Sequence, residues 1–153
     1  MQTSSSAMKK GDPPIVVEQS FDASIDTVWS AITEVDQMRR WYFENIPAFK
    51  AEVGFETQFE TRNEGRIFPH RWKVAKVVPL KTLEYNWSFD GYPGDSFVTF
   101  ELFEQDGSTR LRVTARIVES FPEGIPEFTR ESCIGGWTYF INQRLRSFLT
   151  ETR

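Results

Sequence analysis

The sequence predicts an α+β domain in which a curved antiparallel sheet wraps around a long C-terminal helix. Apolar residues recur at the helical period near the C-terminus, and before that they alternate with polar residues in short runs. The predicted order is one strand, two short helices, about five or six antiparallel strands and the long helix. Strands in a meander with the helices on one face are typical of α+β domains.

The long helix is predicted from about Thr129 to Glu151. Burying a large apolar side chain stabilises a protein by about 1.5–3 kcal/mol, so its apolar face needs a broad apolar surface to lie on. A strongly twisted single-layer sheet offers such a surface on its concave side. At the helical period, one face of the helix carries Ile134, Trp137, Thr138, Ile141, Leu145, Phe148 and Leu149.

The first third of the chain predicts a tail, a strand and two helices. Residues 1–12 are rich in Ser and Lys, and we expect a disordered tail there, followed by a single domain over residues 13–153. Alternating apolar residues predict a strand over 15–21. Apolar residues spaced three and four apart predict a short amphipathic helix from Ile25, and a second helical turn is predicted over 35–40.

The remaining strands are predicted from a period of two, which is typical of strands with one buried face. Turn residues such as Asn63-Glu64-Gly65 and Asp106-Gly107 separate these runs. The predicted strands cover residues 55–61, 68–74, 83–89, 98–102 and 111–117.

Composition limits the class of function. The chain has 153 residues and a net charge of −4, which argues against nucleic acid or an anionic membrane as its main partner. Its single cysteine, Cys133, excludes an internal disulfide framework and favours a reducing compartment, so we expect a cytoplasmic protein. No apolar run approaches the ~20 residues that a membrane span requires.

Several short motifs occur in a distinctive order between about Ile15 and Glu151. They are Phe21-Asp22-Ala23 followed by Val28-Trp29, then Trp41-Tyr42, then Val77-Val78-Pro79-Leu80 leading to Leu83-Glu84-Tyr85-Asn86-Trp87, and finally Gly136-Trp137. In this order they resemble the START-like (SRPBCC) superfamily, and within it the branch of heat-shock-protein ATPase activator (Aha-type) homologues. The resemblance implies the helix-grip (START/Bet v-like) fold, with a cavity between sheet and helix that often suits a small apolar ligand. It also implies a chaperone contact as an alternative function.

Inward-facing aromatic residues are the strongest functional signal. They either fill the core, as aromatic residues do in most proteins, or line an apolar pocket of roughly 300–1,000 Å³. In the second case His70, Tyr85, Gln19 and Thr57 would be its polar anchors. The predicted ligand-binding residues are Trp41, Phe43, Phe59, Phe68, His70, Trp72, Tyr85, Trp87, Phe100, Trp137 and Ile141.

No catalytic set, metal site or cofactor motif is predicted. His70 is the only histidine and a candidate for a ligand hydrogen bond or an acid–base role, and a hydrogen-bonded structural histidine is the alternative. Glu56, Glu60 and Glu84 are predicted to face outward, away from it. Cys133 is expected to be a small buried or half-buried apolar residue rather than a nucleophile.

We therefore predict a domain that binds a small apolar ligand. The alternatives are a cyclase- or hydrolase-like enzyme acting through His70 and a carboxylate, and a module that contacts a chaperone. The protein is expected to be a monomer or a homodimer, and the outward Phe97 and Phe103 would mark a subunit contact if they are not merely scattered surface rings. Gly135-Gly136 indicates either a close approach of the backbone to its surroundings or a frayed start of the helix.

Overall fold

Six antiparallel strands form one curved sheet in the order β1-β6-β5-β4-β3-β2 in the computed structural model, which describes residues 6–151. Together with the C-terminal helix this arrangement confirms the predicted helix-grip α+β fold. The two outer strands are the first and the second in the sequence, so the sheet is open. The strands are β1 (Ile15–Phe21), β2 (Glu56–Asn63), β3 (Arg66–Val78), β4 (Thr82–Phe89), β5 (Asp95–Gln105) and β6 (Ser108–Glu119).

Two short helices follow β1, as predicted. The side chain of Ser24 caps the first of them by accepting a hydrogen bond from the backbone N–H of Thr27 at 3.3 Å. Val28 and Ile32 on this helix are buried against the sheet. The helices are α1 (Ile25–Thr33) and α2 (Val35–Trp41).

The C-terminal helix consists of three consecutive segments. These are α3 (Arg130–Thr138), a π-helical segment (Tyr139–Leu145) and α4 (Arg146–Glu151). A 3₁₀ turn (Pro126–Phe128) precedes them, and the side chain of Thr129 accepts a hydrogen bond from the backbone N–H of Ser132 at 3.1 Å to begin α3. None of the helices among residues 6–151 is long and apolar enough to cross a membrane.

The predicted apolar face of this helix is correct at Trp137 and from Ile141 onward, and wrong at Ile134 and Thr138. Trp137, Ile141 and Leu145 are buried, whereas the Ile134 side chain is 41% exposed and Thr138 is exposed. A π-helical segment forms i→i+5 hydrogen bonds, so each of its turns takes up more residues than an α-helical turn. The segment therefore rotates α3 relative to α4, so that Trp137 stays on the buried face of α3 whereas Ile134 does not.

Residues 6–12 pack against the domain, which differs from the predicted tail over residues 1–12. Met8 is buried, and its backbone donates a hydrogen bond to the carbonyl of Phe128 at 2.9 Å and accepts one from the N–H of Phe121 at 2.9 Å. Ala7 is buried and forms a bridge with Thr129. Residues 1–5 lie outside the described part of the chain.

The outward face of β5 and β6 is covered by charged side chains. The guanidinium of Arg116 lies 5.2 Å from the ring centroid of Phe97, and that of Arg110 lies 4.4 Å from the ring of Phe103. Both rings are half-buried beneath these contacts. The face predicted as a subunit contact therefore presents guanidinium groups together with its two rings.

Candidate functional site

A cavity of about 580 Å³ lies between the sheet and the first half of the C-terminal helix. Its volume falls in the usual range for small-molecule sites, about 300–1,000 Å³. From the helix, Cys133, Gly136, Trp137 and Phe140 line it, at the spacing of three and four residues that places side chains on one face. The other lining residues are Met8, Phe43, Thr61, Asn63, Phe68, His70, Trp87, Phe89, Ser96, Val98, Ala115, Ile117, Phe121, Glu127 and Phe128.

Gly136 leaves part of this space open. A Cβ atom built on Gly136 would meet no atom within 4 Å, and the same holds for Gly135, which is exposed. Both glycines lie inside α3, so neither the predicted frayed helix start nor a close backbone approach explains them. At Gly136 the missing side chain instead makes the cavity larger.

The structure brings part of the predicted ligand-binding set to the cavity wall. The residues that line it are Phe43, Phe68, His70, Trp87 and Trp137. The others are buried in the packed core behind the wall, so we expect no direct ligand contact from Trp41, Phe59, Trp72, Tyr85, Phe100 or Ile141. The strand period identifies which residues point inward, but it does not distinguish a residue in the core from one at the wall.

Three consecutive aromatic residues at the end of α2 have different surroundings. The indole N–H of Trp41 donates to the carbonyl of Ala31 at 2.8 Å, in the buried core. The hydroxyl of Tyr42 lies 2.7 Å from that of Tyr85, also in the core. Only Phe43 reaches the cavity wall. Tyr85, predicted as a polar anchor, is therefore a partner of Tyr42 and does not line the cavity wall.

The other two predicted anchors also lie away from the cavity wall. The side-chain carbonyl of Gln19 accepts a hydrogen bond from the amide of Asn142 at 2.8 Å, which ties β1 to the C-terminal helix. Thr57 is buried in β2 and does not line the cavity. Of the four predicted polar anchors, the structure therefore places only His70 at the wall.

His70 is hydrogen-bonded within the domain, as the structural alternative expects, and it lies at the cavity wall. Its Nδ1–H donates to the carbonyl of Phe68 at 2.9 Å, which leaves Nε2 as an acceptor in the neutral ring. The ring is 5% exposed and stacks on Phe59 at a centroid distance of 4.8 Å. Burial lowers the pKa of His70 to about 4, so the ring is neutral at pH 7. His70 is thus a hydrogen-bonded histidine that also forms part of the cavity wall.

Replacement of His70 by asparagine is expected to reduce the loss of stability on acidification. The pKa of His70 falls from 6.5 to about 4 on folding, so between these pH values the unfolded chain binds the extra proton and stability decreases as the pH falls. Each pKa unit corresponds to about 1.4 kcal/mol, which gives a total of about 3 kcal/mol. In His70→Asn the amide can keep the hydrogen bond to Phe68 but does not titrate.

Urea denaturation of the wild type and His70→Asn at several pH values from 7 to 4 measures this difference. Carboxylates titrate in both proteins, so only the difference between the two pH profiles reports on His70. Parallel profiles would contradict the burial of a neutral ring.

A polar cluster that the sequence did not predict lies at one end of the cavity. Glu127, in the 3₁₀ turn, accepts a hydrogen bond at Oε2 from the amide of Asn63 at 2.5 Å. Its Oε1 lies 3.7 Å from a guanidinium nitrogen of Arg66. The residues of this cluster come from the β2–β3 hairpin and from a short turn, where no period indicates which way a side chain points. Only the topology brings them together.

Two buried polar atoms of the wall have no hydrogen-bond partner within residues 6–151. They are the indole nitrogen of Trp87, a donor, and Oε1 of Glu127, an acceptor. Buried polar groups in folded proteins nearly always form hydrogen bonds. We therefore expect each of these atoms to bind a partner from outside the chain, such as water or a ligand.

The described residues hold no acid–base pair at this site. The ring of His70 donates its hydrogen bond to Phe68, and the partners of Glu127 are Asn63 and Arg66. Burial raises the pKa of the Cys133 thiol to about 11, so it is protonated at pH 7 and a poor nucleophile. Within residues 6–151, no cluster of three or more His, Cys, Asp or Glu residues is placed to bind a metal ion.

Comparisons with known proteins agree with this architecture. The model of the family described as Activator of Hsp90 ATPase homolog 1-like protein matches residues 22–150. The structure of protein BH1534 from Bacillus halodurans is 26% identical, with a TM-score of 0.70, over 93% of this chain and 99% of that chain. No curated protein matches the chain.

Two further solved structures share the fold at lower identity. Protein CV1439 from Chromobacterium violaceum is 21% identical, with a TM-score of 0.73, over 89% of this chain and 96% of that chain. The Aha1 dimer from Colwellia psychrerythraea, solved in solution, is 22% identical, with a TM-score of 0.68, over 90% of this chain and 96% of that chain.

Proposed function

Because the chain belongs to the Activator of Hsp90 ATPase homolog 1-like family, whose model covers residues 22–150, we propose that it binds a small apolar ligand between its sheet and its C-terminal helix. The observation that supports this proposal is the cavity of about 580 Å³ with a mainly apolar wall. A cavity lined by apolar groups binds apolar molecules more readily than water. The ligand would be held mainly by burial of its apolar surface, at about 25 cal/mol per Å².

Rings from both the helix and the sheet form the wall of the cavity. Phe140 and Trp137 form its helical side, and Trp87 and Phe89 form part of the side made by the sheet. The Trp87 and Trp137 rings are nearly perpendicular, with centroids 5.7 Å apart. A ligand between these elements would meet ring faces and ring edges, both of which pack well against other aromatic rings.

Titration with N-phenyl-1-naphthylamine, a neutral apolar dye, tests this function. Its fluorescence rises in an apolar environment, and we expect a saturable increase with one site per chain. Since Trp87 and Trp137 line the cavity, their own fluorescence should be quenched over the same range of concentration. A linear, non-saturable increase with no tryptophan quenching would contradict binding in the cavity.

Chaperone contact is a second candidate function, favoured by the family to which the chain belongs. In this case the outer surface would act on the partner, whether or not the cavity is occupied. The test is the ATPase rate of Hsp90 with and without the purified protein. An increase that persists when the cavity is blocked would support chaperone contact, and an unchanged rate would count against it.

That the protein is a monomer or a homodimer stays a prediction.

A further inference from the structure

The geometry points to Glu127 as the residue that selects the ligand: the cavity takes neutral apolar molecules with a hydroxyl group and rejects those with a carboxylate. This inference rests on the proposed function and deepens it, because it specifies the chemistry of the ligand at one end. It concerns a residue that reaches the cavity from a three-residue turn, outside the sheet and the long helix.

The first step is the state of the Glu127 carboxylate. Its Oε2 is occupied by the hydrogen bond from Asn63, whereas Oε1 is buried and accepts no hydrogen bond within residues 6–151. The guanidinium of Arg66, at 3.7 Å from Oε1, is close enough for an ion pair and too far for a hydrogen bond. Glu127 lines the cavity, so Oε1 is a buried acceptor at this end that still lacks a hydrogen-bond donor.

The second step is the charge of the ligand. Among the residues that line the cavity, Glu127 carries the only formally charged side chain. A ligand carboxylate at this end would meet a like charge and would lose its hydration against aromatic walls. An ammonium group would be desolvated in the same way, beside an Arg66 that already pairs with the carboxylate. A hydroxyl group donates to Oε1 without bringing a second charge into the cavity.

The third step separates Glu127 from the other polar groups of the wall. The unpartnered indole N–H of Trp87 would donate a hydrogen bond to a hydroxyl and to a carboxylate alike, since both have acceptor oxygens. The hydroxyl of Ser96 already donates to the carbonyl of Trp87 at 2.8 Å. His70 is neutral at pH 7 and cannot repel a carboxylate. Beyond the cost of desolvating any charged ligand, discrimination against an anion is thus expected from Glu127.

Three probes with the same ring system test this inference: naphthalene, 2-naphthol and 2-naphthoate. Their affinities are measured by displacement of N-phenyl-1-naphthylamine from the wild type, Glu127→Gln and Glu127→Met. Glutamine keeps an acceptor oxygen and removes the charge, and methionine removes both at a similar length. The affinity for naphthalene, which has no polar group, is the control for an intact cavity and is expected to stay the same in all three proteins.

In the wild type, 2-naphthol is expected to bind about threefold to tenfold more tightly than naphthalene, the range for one net hydrogen bond. 2-Naphthoate should bind the wild type at least about tenfold more weakly than naphthalene, because its charge is buried beside a like charge. Both substitutions should increase the affinity for 2-naphthoate, because they remove the like charge, while the desolvation of its carboxylate still weakens its binding relative to naphthalene. Only Glu127→Met should abolish the preference for 2-naphthol, since glutamine can still accept its hydrogen bond.

The inference is overturned if 2-naphthol keeps its preference in Glu127→Met, or if the wild type binds 2-naphthoate as tightly as naphthalene. In either case naphthalene still binds, and the proposed function stands. Failure of every probe and of the dye to bind the wild type overturns both the inference and the proposed function.

Discussion

Gly136→Phe is expected to weaken binding of the dye at least about tenfold without destabilising the protein. Gly136 lies on the helix face that lines the cavity, between Cys133 and Phe140, and a Cβ atom there meets nothing within 4 Å. The new ring would extend into the space that the ligand needs. If it displaces only about 60 Å² of ligand contact, the loss at about 25 cal/mol per Å² is about 1.5 kcal/mol, which is about tenfold in Kd.

Gly135→Phe is the matched control. Gly135 is the preceding residue of the same helix, but it is exposed and does not line the cavity. Both substitutions replace a glycine in a helix interior by a residue with a higher helix propensity. This change stabilises the folded state by up to about 1 kcal/mol. The Kd of the Gly135 variant should therefore equal that of the wild type. Equal affinities of the two variants would place the dye outside the cavity.

Ile141→Ala is expected to reduce the free energy of unfolding by about 2–5 kcal/mol. Its side chain is 0% exposed, in the π-helical segment that packs against the sheet. Removing three carbon atoms there leaves a void that the surrounding core closes only in part. Urea denaturation measures the loss, and an unchanged m-value would show that unfolding exposes the same amount of surface as in the wild type.

Ile134→Ala is the control for this prediction, with the same residue type seven positions earlier. Because the Ile134 side chain is 41% exposed, its truncation should change stability by no more than about 0.5 kcal/mol. On a straight α-helix both isoleucines would face the sheet, and both substitutions would be costly. Similar losses from the two variants would therefore contradict the rotation introduced by the π-helical segment.

The sequence predicts the sheet and the order of the elements because each rests on a simple period. The alternation of Val98, Phe100 and Leu102 with polar residues, for example, identifies the buried face of β5 correctly. The position of Ile134 could not be predicted, because the period of 3.6 assumes a uniform α-helix. A change of helical type alters the phase without leaving a clear signal in the apolar pattern.

The candidate site was harder to predict than the fold. Inward direction is visible in the sequence for Phe68, His70 and Trp87, and all three line the cavity. Whether an inward side chain faces the cavity or other core side chains depends on residues that are distant in the sequence. Trp72 and Trp87 therefore look alike in the sequence, although only Trp87 lines the cavity. Residues from turns and from the chain start, such as Glu127 and Met8, have no period and become visible only in three dimensions.

The unfilled apolar cavity is the feature on which both proposals depend, and xenon binding measures it directly. Xenon occupies apolar cavities and scatters X-rays anomalously, so diffraction from a crystal under xenon pressure reveals where such a cavity lies. We expect an anomalous peak bounded by Gly136, Phe140 and Trp87. Side chains packed across this space, with no xenon peak between the sheet and the helix, would contradict it.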